Sequence, residues 1–289
     1  MRLFVKKIVL ITINVLILVN YSLAQSAGQF ENALWELKLF SAVAAFPEYR
    51  GSDEYSVYGL PFPYFIYRGE CFQSDEEGLK GVFLESKFHE IFISFSGNPP
   101  VTSDSSVKRG MPNLDAILEM GPVFKWYFNS IDAHDPIYFE IDIRSASSLN
   151  FDSGLNTRYQ GQHGDVSVNW NINNPRQLEG LEIYLHAGLD FSDSLYNQYF
   201  YDVEEKYVLP DREYYKSDGG YAGFFLSVAM EKVLSPSFTI AAYLGWDNLT
   251  GAVFEDSPLV TDTNYIVAGC AVIWKIMESK TKAAHRIGR

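Results

Sequence analysis

Ile137-Tyr138-Phe139-Glu140-Ile141-Asp142-Ile143-Arg144 decides the fold, because every second residue is large and apolar while Glu140, Asp142 and Arg144 stand between. Side chains of a strand alternate between faces, so the segment has one greasy face and one charged face. The same period of two recurs along the chain. Leu181, Ile183, Leu185, Leu189 and Phe191 alternate with Glu182, Tyr184, His186 and Asp190. Val166, Val168, Trp170 and Ile172 alternate with Ser167, Asn169, Asn171 and Asn173. Phe238, Ile240, Ala242, Leu244 and Trp246 alternate with Thr239, Tyr243 and Asp247. Repeated two-faced strands of about ten residues, separated by turns, are what a membrane-spanning β-barrel requires. A soluble β-sandwich yields the same alternation, so the pattern needs support from elsewhere.

The N-terminus supplies it. Arg2, Lys6 and Lys7 precede an apolar run from Ile8 to Val19, and Ser22-Leu23-Ala24 follows. This reads as a cleavable signal peptide over residues 1–24, with no Cys after the site to carry a lipid anchor. A spanning helix needs about 20 apolar residues, more than this run holds. No later segment is long and apolar enough to be such a helix, so the exported chain enters a membrane as strands or not at all.

Composition agrees. Aromatics form 16% of the chain, as two aromatic girdles would demand. The net charge is −13, and losing three cations and no acid with the signal segment leaves −16. Nucleic acid as a partner is excluded on this ground, since phosphate contacts need clustered Lys and Arg. Acidic stretches such as Glu48 to Glu54 and Asp202 to Asp211 read as solvated extracellular loops. Cys71 and Cys270 sit on different hairpins, so no disulfide is expected. Neither has a second Cys or a His at ligand spacing, and no metal or other cofactor is expected.

A first pass gives eleven strands, an odd number that conflicts with a barrel whose two ends lie on the periplasmic side. Splitting the stretch from Cys71 to Glu85 at Asp75-Glu76-Glu77-Gly78 into a short hairpin makes the count twelve, with ten as the alternative. The fold expected is thus an all-β, transmembrane, antiparallel up-and-down barrel over residues 25–276. Short turns near Arg68-Gly69, Ser86-Lys87, Ser130 to Asp135, Asn173 to Gly180 and Leu234-Ser235-Pro236 would be periplasmic. Pro47 to Glu54, Gly97 to Asn113, Ser147 to Gly161, Ser192 to Gly219 and Thr250 to Thr263 would be extracellular. The last strand is placed at Tyr265 to Ile276. Residues 277–289, with Lys280, Lys282, Arg286 and Arg289, read as a basic disordered tail whose removal leaves folding intact.

Several stretches together resemble the MltA-interacting protein/OmpV family of outer-membrane proteins. They are Pro61-Phe62-Pro63-Tyr64 with Tyr67-Arg68-Gly69, then Gly110-Met111-Pro112-Asn113-Leu114-Asp115 and Glu119-Met120-Gly121-Pro122. Tyr199-Phe200-Tyr201-Asp202-Val203 follows. The C-terminal block of Asp247-Asn248-Leu249, Asp256-Ser257-Pro258-Leu259-Val260 and Gly269 to Ile276 is the most specific. The chain departs from the family in Cys71, Cys270, Ile276 at the usual final aromatic, and the basic tail. The resemblance implies a barrel in the cell outer membrane. The founding member is described as a scaffold joining a lytic transglycosylase to a peptidoglycan synthase, and others as adhesins or osmotically regulated surface proteins. Such periplasmic enzymes, together with outer-membrane lipid, are the partners expected.

The chemistry expected is none. His89, His134, His163, His186 and His285 are the only candidate bases, and no Gly-rich phosphate loop, HExxH or GxSxG is present. Alternation puts His186 on the lumen side, where a hydrogen-bonded structural residue is the reading, and His134 and His163 read as turn and loop residues. Catalytic, cofactor and metal sites are all read as absent. Glu36, Lys38, Glu119, Lys125, Glu140, Asp142, Arg144, Glu182 and Asp190 are expected to face the lumen and to pair across strands rather than form a single-sign ring. On this reading Ile141→Arg is far worse than Asp142→Arg. The function expected is a non-enzymatic scaffold tied to peptidoglycan remodelling, with a narrow solute channel or an adhesin as alternatives.

Overall fold

The twelve strands form one antiparallel sheet that closes on itself, the first strand pairing with the last. The computed structural model describes residues 33–69, 72–75, 78–98, 100, 107–150, 156–175 and 178–283. The signal segment, Cys71, His285 and residues 284–289 lie outside them. Six strands occupy the first half: β1 (Trp35–Pro47), β2 (Tyr55–Arg68), β3 (Phe72–Asp75), β4 (Gly78–Glu85), β5 (His89–Asn98) and β6 (Ala116–Tyr127). β7 runs as Ile137–Asp142 and Arg144–Asn150, and both pieces pair with the same two neighbours. β8 (Asn156–Asn173), β9 (Leu181–Ser192), β10 (Gly220–Ser235), β11 (Phe238–Asn248) and β12 (Asn264–Glu278) complete the ring.

The break in β7 is a close approach of three strands. The Ile143 amide bonds to the Pro122 carbonyl (3.1 Å). A Cβ on Gly121 would stand 1.9 Å from the Ile143 carbonyl oxygen, and one on Gly164 would stand 2.2 Å from that of Asp142. Glycine on both flanking strands is what lets this kink fit.

The faces fall where alternation puts them. Leu118, Trp126, Ile143, Val168, Trp170, Leu226, Leu244, Ile266, Val272 and Trp274 are exposed on the outer wall, the lipid-facing belt of a barrel. Aromatic pairs reinforce it, such as Phe238 stacked on Trp274 at 6.0 Å and Trp35 on Phe65 at 5.9 Å. Cys270 is a free thiol on this outer face.

The short hairpin expected within Cys71 to Glu85 is present as β3 and β4 on either side of positions 76–77. Other boundaries move. The loop expected over Ser147 to Gly161 is mostly strand, because β7 and β8 continue pairing up to Asn150 and Asn156. β12 runs past the expected end at Ile276, pairing Met277 with Leu37 and Glu278 with Glu36. The start of the tail is therefore ordered: the Leu34 amide bonds to the Thr281 carbonyl (2.9 Å), and Lys282 bridges to Ala33.

Candidate functional site

The lumen has two unlike halves under a folded cap. On β5 to β9 it is polar and tightly filled. Glu119, Lys125, Asp142, Asp165, Glu182, His186 and Asp190 point inward and are buried. Opposite charges meet across strands, Lys125 and Glu140 at 3.5 Å between β6 and β7. Arg144 pairs with Asp142 and donates to the Ser94 hydroxyl (3.1 Å). The Asp165 amide donates to Asp142 Oδ1 (3.1 Å). At the periplasmic end Arg68 on β2 meets Glu36 on β1 at 2.7 Å. Pairs of both signs meet along this side of the interior, as expected. Burial would otherwise make each lone charge costly.

Higher up, one loop residue organises the network. Arg50, from the segment joining β1 to β2, reaches Asp190 at 2.7 Å and Asp247 at 3.5 Å, and its Nε donates to the Tyr265 hydroxyl (3.0 Å). Burial opposes its charge, but Asp190 first, then Tyr265 and Asp247, hold its pKa well above the guanidinium range. His163 sits beside it, 3.6 Å from Asp190 and 3.5 Å from Glu119, its ring stacked on Tyr196 at 5.0 Å. The loop expected at His163 is thus a lumen-facing position on β8. Gly161 and Gly164 on either side of it interrupt the alternation that marks a strand.

The cap is built from extracellular segments. A short helix, α1 (Ser194–Tyr201), follows β9, with Asp193 as its N-cap accepting from the Tyr196 amide (2.8 Å). It lies on β8 at Gly161, whose φ of +100 and missing Cβ admit it: a Cβ there would be 2.2 Å from Asp193 Oδ1. Tyr196, Phe200 and Tyr201 then pack with Tyr49, Leu249 and Phe254 into the largest apolar cluster. Tyr201 stacks on Phe254 at 3.9 Å. Burying Leu249, Leu259 and Phe254 contributes about 1.5–3 kcal/mol each. Polar ties join the same segments. The Tyr49 hydroxyl donates to the Leu259 carbonyl (2.7 Å), Tyr201 to that of Arg50 (3.0 Å), and Lys108 Nζ to that of Phe200 (2.8 Å). Arg212 donates to the carbonyls of Val107 (2.7 Å) and Tyr207 (2.9 Å). The stretches expected as solvated acidic loops, Glu48 to Glu54 and Asp202 to Asp211, therefore belong in part to a packed lid. Asp53, Glu204, Glu205 and Asp211 face out, while Glu48, Tyr49 and Arg50 turn in.

A family model for MltA-interacting protein MipA matches residues 39–276. The chain belongs to this family. No curated protein matches it. Among solved structures, the "CymD monoaromatic hydrocarbon channel" is 10% identical over 86% of this chain and 90% of its own, with a TM-score of 0.36. A "bacterial polysaccharide outer membrane secretin" is 9% identical over 86% of this chain and 100% of its own, with a TM-score of 0.34.

In this MipA-family barrel the inner wall of β11 to β2 carries an apolar band, between Asp247 toward the mouth and Glu36, Lys38 and Arg68 at the periplasmic end, a feature not anticipated from the sequence. Phe40, Ala271 and Ile273 form a buried cluster with Ala42, Tyr64 and Ala241 against it. Cross-strand pairing sets Ala241, Ala271 and Ala42 in one row over β11, β12 and β1. The row above is Tyr243, Gly269, Ala44 and Tyr58, reaching β2. The signal was there in the small residues at inward positions of Trp35–Pro47 and Asn264–Glu278. His186, on the lumen side as alternation places it, packs its ring against Phe225 at 4.6 Å. Among the described residues no group of three His, Cys, Asp or Glu is arranged to hold a metal ion.

Proposed function

We propose that this MipA-family barrel is a non-enzymatic scaffold of the cell outer membrane, exported through its signal segment and engaging peptidoglycan-remodelling enzymes from the periplasmic side. The observation that carries the reading is the state of the axial path. α1 and its neighbouring loops pack into the mouth, and Arg50, Asp190, His163, Glu119 and Tyr196 fill the lumen beneath them. A mouth packed by its own loops over a charged network leaves the barrel's surfaces to do the work, because function sits in sites grafted on a fold. The family description names MltA as a partner, and among the described residues the turn at Asn129 to Pro136 offers a surface to such an enzyme. The test pairs two measurements on the purified full-length protein. In planar bilayers it gives no stepwise conductance, and from solubilised envelopes it retains a lytic transglycosylase. Steady ion conductance by the wild-type barrel, with no such enzyme retained, overturns the scaffold in favour of the channel.

A further inference from the structure

Charge is divided unequally along the chain. Residues 25–289 carry −16, to which residues 279–289 contribute +4 through Lys280, Lys282, Arg286 and Arg289, with no acid among them. Residues 25–278 therefore carry −20. So acidic a body ends in a purely cationic segment, and the fold fixes where that segment starts.

Beyond Glu278 the chain stays beside the residues that precede β1. The Ser279 amide donates to the Trp35 carbonyl (2.9 Å), and the Trp35 amide to the Ser279 hydroxyl (3.2 Å). The Leu34 amide donates to the Thr281 carbonyl (2.9 Å), and Lys282 bridges to Ala33. Ser279 is thus level with Trp35, whose ring stacks on outward Phe65 at the periplasmic edge of the lipid-facing belt. Lys282 is level with Ala33, two residues further from the membrane core, or roughly 7 Å along the strand. The headgroup layer on one side of a bilayer is about 5–7 Å deep. The ladder therefore delivers Lys280 and Lys282, both exposed, to the depth of the lipid phosphates.

The carboxylates that share this ladder are already engaged. Glu278 pairs with Lys275 at 2.6 Å, and Glu36 with Arg68 at 2.7 Å and Lys38 at 3.4 Å. Among the described residues Lys280 and Lys282 have no ion pair. We propose that residues 279–289 are an electrostatic anchor that lies on the periplasmic leaflet and gathers anionic phospholipid beside β1 and β12. Each basic residue near such a surface adds about fivefold to binding, so four together hold where one alone does not. A wall polymer is the poorer fit, since it would have to enter the headgroup layer to meet the two lysines. The inference goes beyond the scaffold reading and does not rest on it.

The test uses the full-length barrel in nanodiscs of phosphatidylcholine, alone or mixed with phosphatidylglycerol. Trypsin cuts after exposed cations, so the tail carries its own reporter, and cleavage after Arg286 is followed by mass spectrometry. In the wild type phosphatidylglycerol is expected to slow this cleavage about tenfold. Salt at about 1 M, where the Debye length is roughly 3 Å, restores the rate. The double variant Lys280→Gln, Lys282→Gln loses the slowing although Arg286 is intact, with the heat-modifiable gel band as the control for folding. Lys280→Arg with Lys282→Arg keeps it, as charge rather than shape requires. Equal wild-type rates in the two lipids overturn the anchor, whatever the variants do. So does slowing by isolated peptidoglycan in phosphatidylcholine nanodiscs with none by phosphatidylglycerol, because the partner is then the wall.

Discussion

A charge at position 141 and one at position 142 meet different surroundings. Ile141 belongs to the outward set, while Asp142 is 2% exposed and paired with Arg144. Ile141→Arg is expected to cost about 2–4 kcal/mol at mid-membrane, read as a lower urea midpoint for the folded gel band. The milder outcome expected from sequence for Asp142→Arg no longer holds, because a second guanidinium would be buried beside Arg144 without its partner. Asp142→Asn is the fair comparison, keeping an acceptor for the Asp165 amide, and it loses less folded protein than Ile141→Arg. Equal losses would mean that the faces are misassigned. Lys108 makes a prediction about pH. Burial first and Arg212 second push its pKa down from 10.5 to about 7, against the pull of Glu48, and its Nζ lies 4.5 Å from the Tyr49 ring. The capped state thus favours the neutral amine, so the cap gains stability as pH rises from about 7 toward 10.5 and gains nothing more below that window. Amide exchange around Lys108 and Phe200, corrected for intrinsic rates, slows from pH 7 to pH 9 in the wild type. In Lys108→Met this dependence is lost.

At the scale of elements, alternation located nearly every strand but not its ends. Ends depend on what a neighbour offers, and Met277 and Glu278 stay in the sheet because Leu37 and Glu36 are there to pair with them. Lys275 and Glu278 add an ion pair at 2.6 Å. Truncation after Glu278 is expected to leave heat-modifiable barrel at wild-type yield, whereas truncation after Ile276 lowers the temperature at which the folded band is lost. Identical melting of the two would return the boundary to Ile276. The β3–β4 hairpin was legible because four consecutive polar and turn residues, Asp75 to Gly78, break an otherwise continuous stretch. α1 was invisible for a different reason. Tyr196, Phe200 and Tyr201 become a core only when Phe254 and Leu249 close over them from another loop.

For the whole molecule, a period of two separates inside from outside but does not say which inward faces will meet. The charged interior of β6 to β9 could be read strand by strand. The apolar interior of β11 to β2 could not, since alanine and glycine opposite one another become a surface only once the ring has closed. That closure sets a cost of its own. Every ladder but one joins strands adjacent in the chain, and the exception is the seam of β1 with β12, where Trp35 and Ser279 bond across 244 positions. Tying ends so far apart costs about 3 kcal/mol more in chain entropy than closing a ten-residue turn. Eleven hairpin steps can therefore zip locally, leaving one late, long-range event to convert an open sheet with two bare edges into a ring. Whatever slows that event prolongs the species in which this barrel is most prone to aggregate.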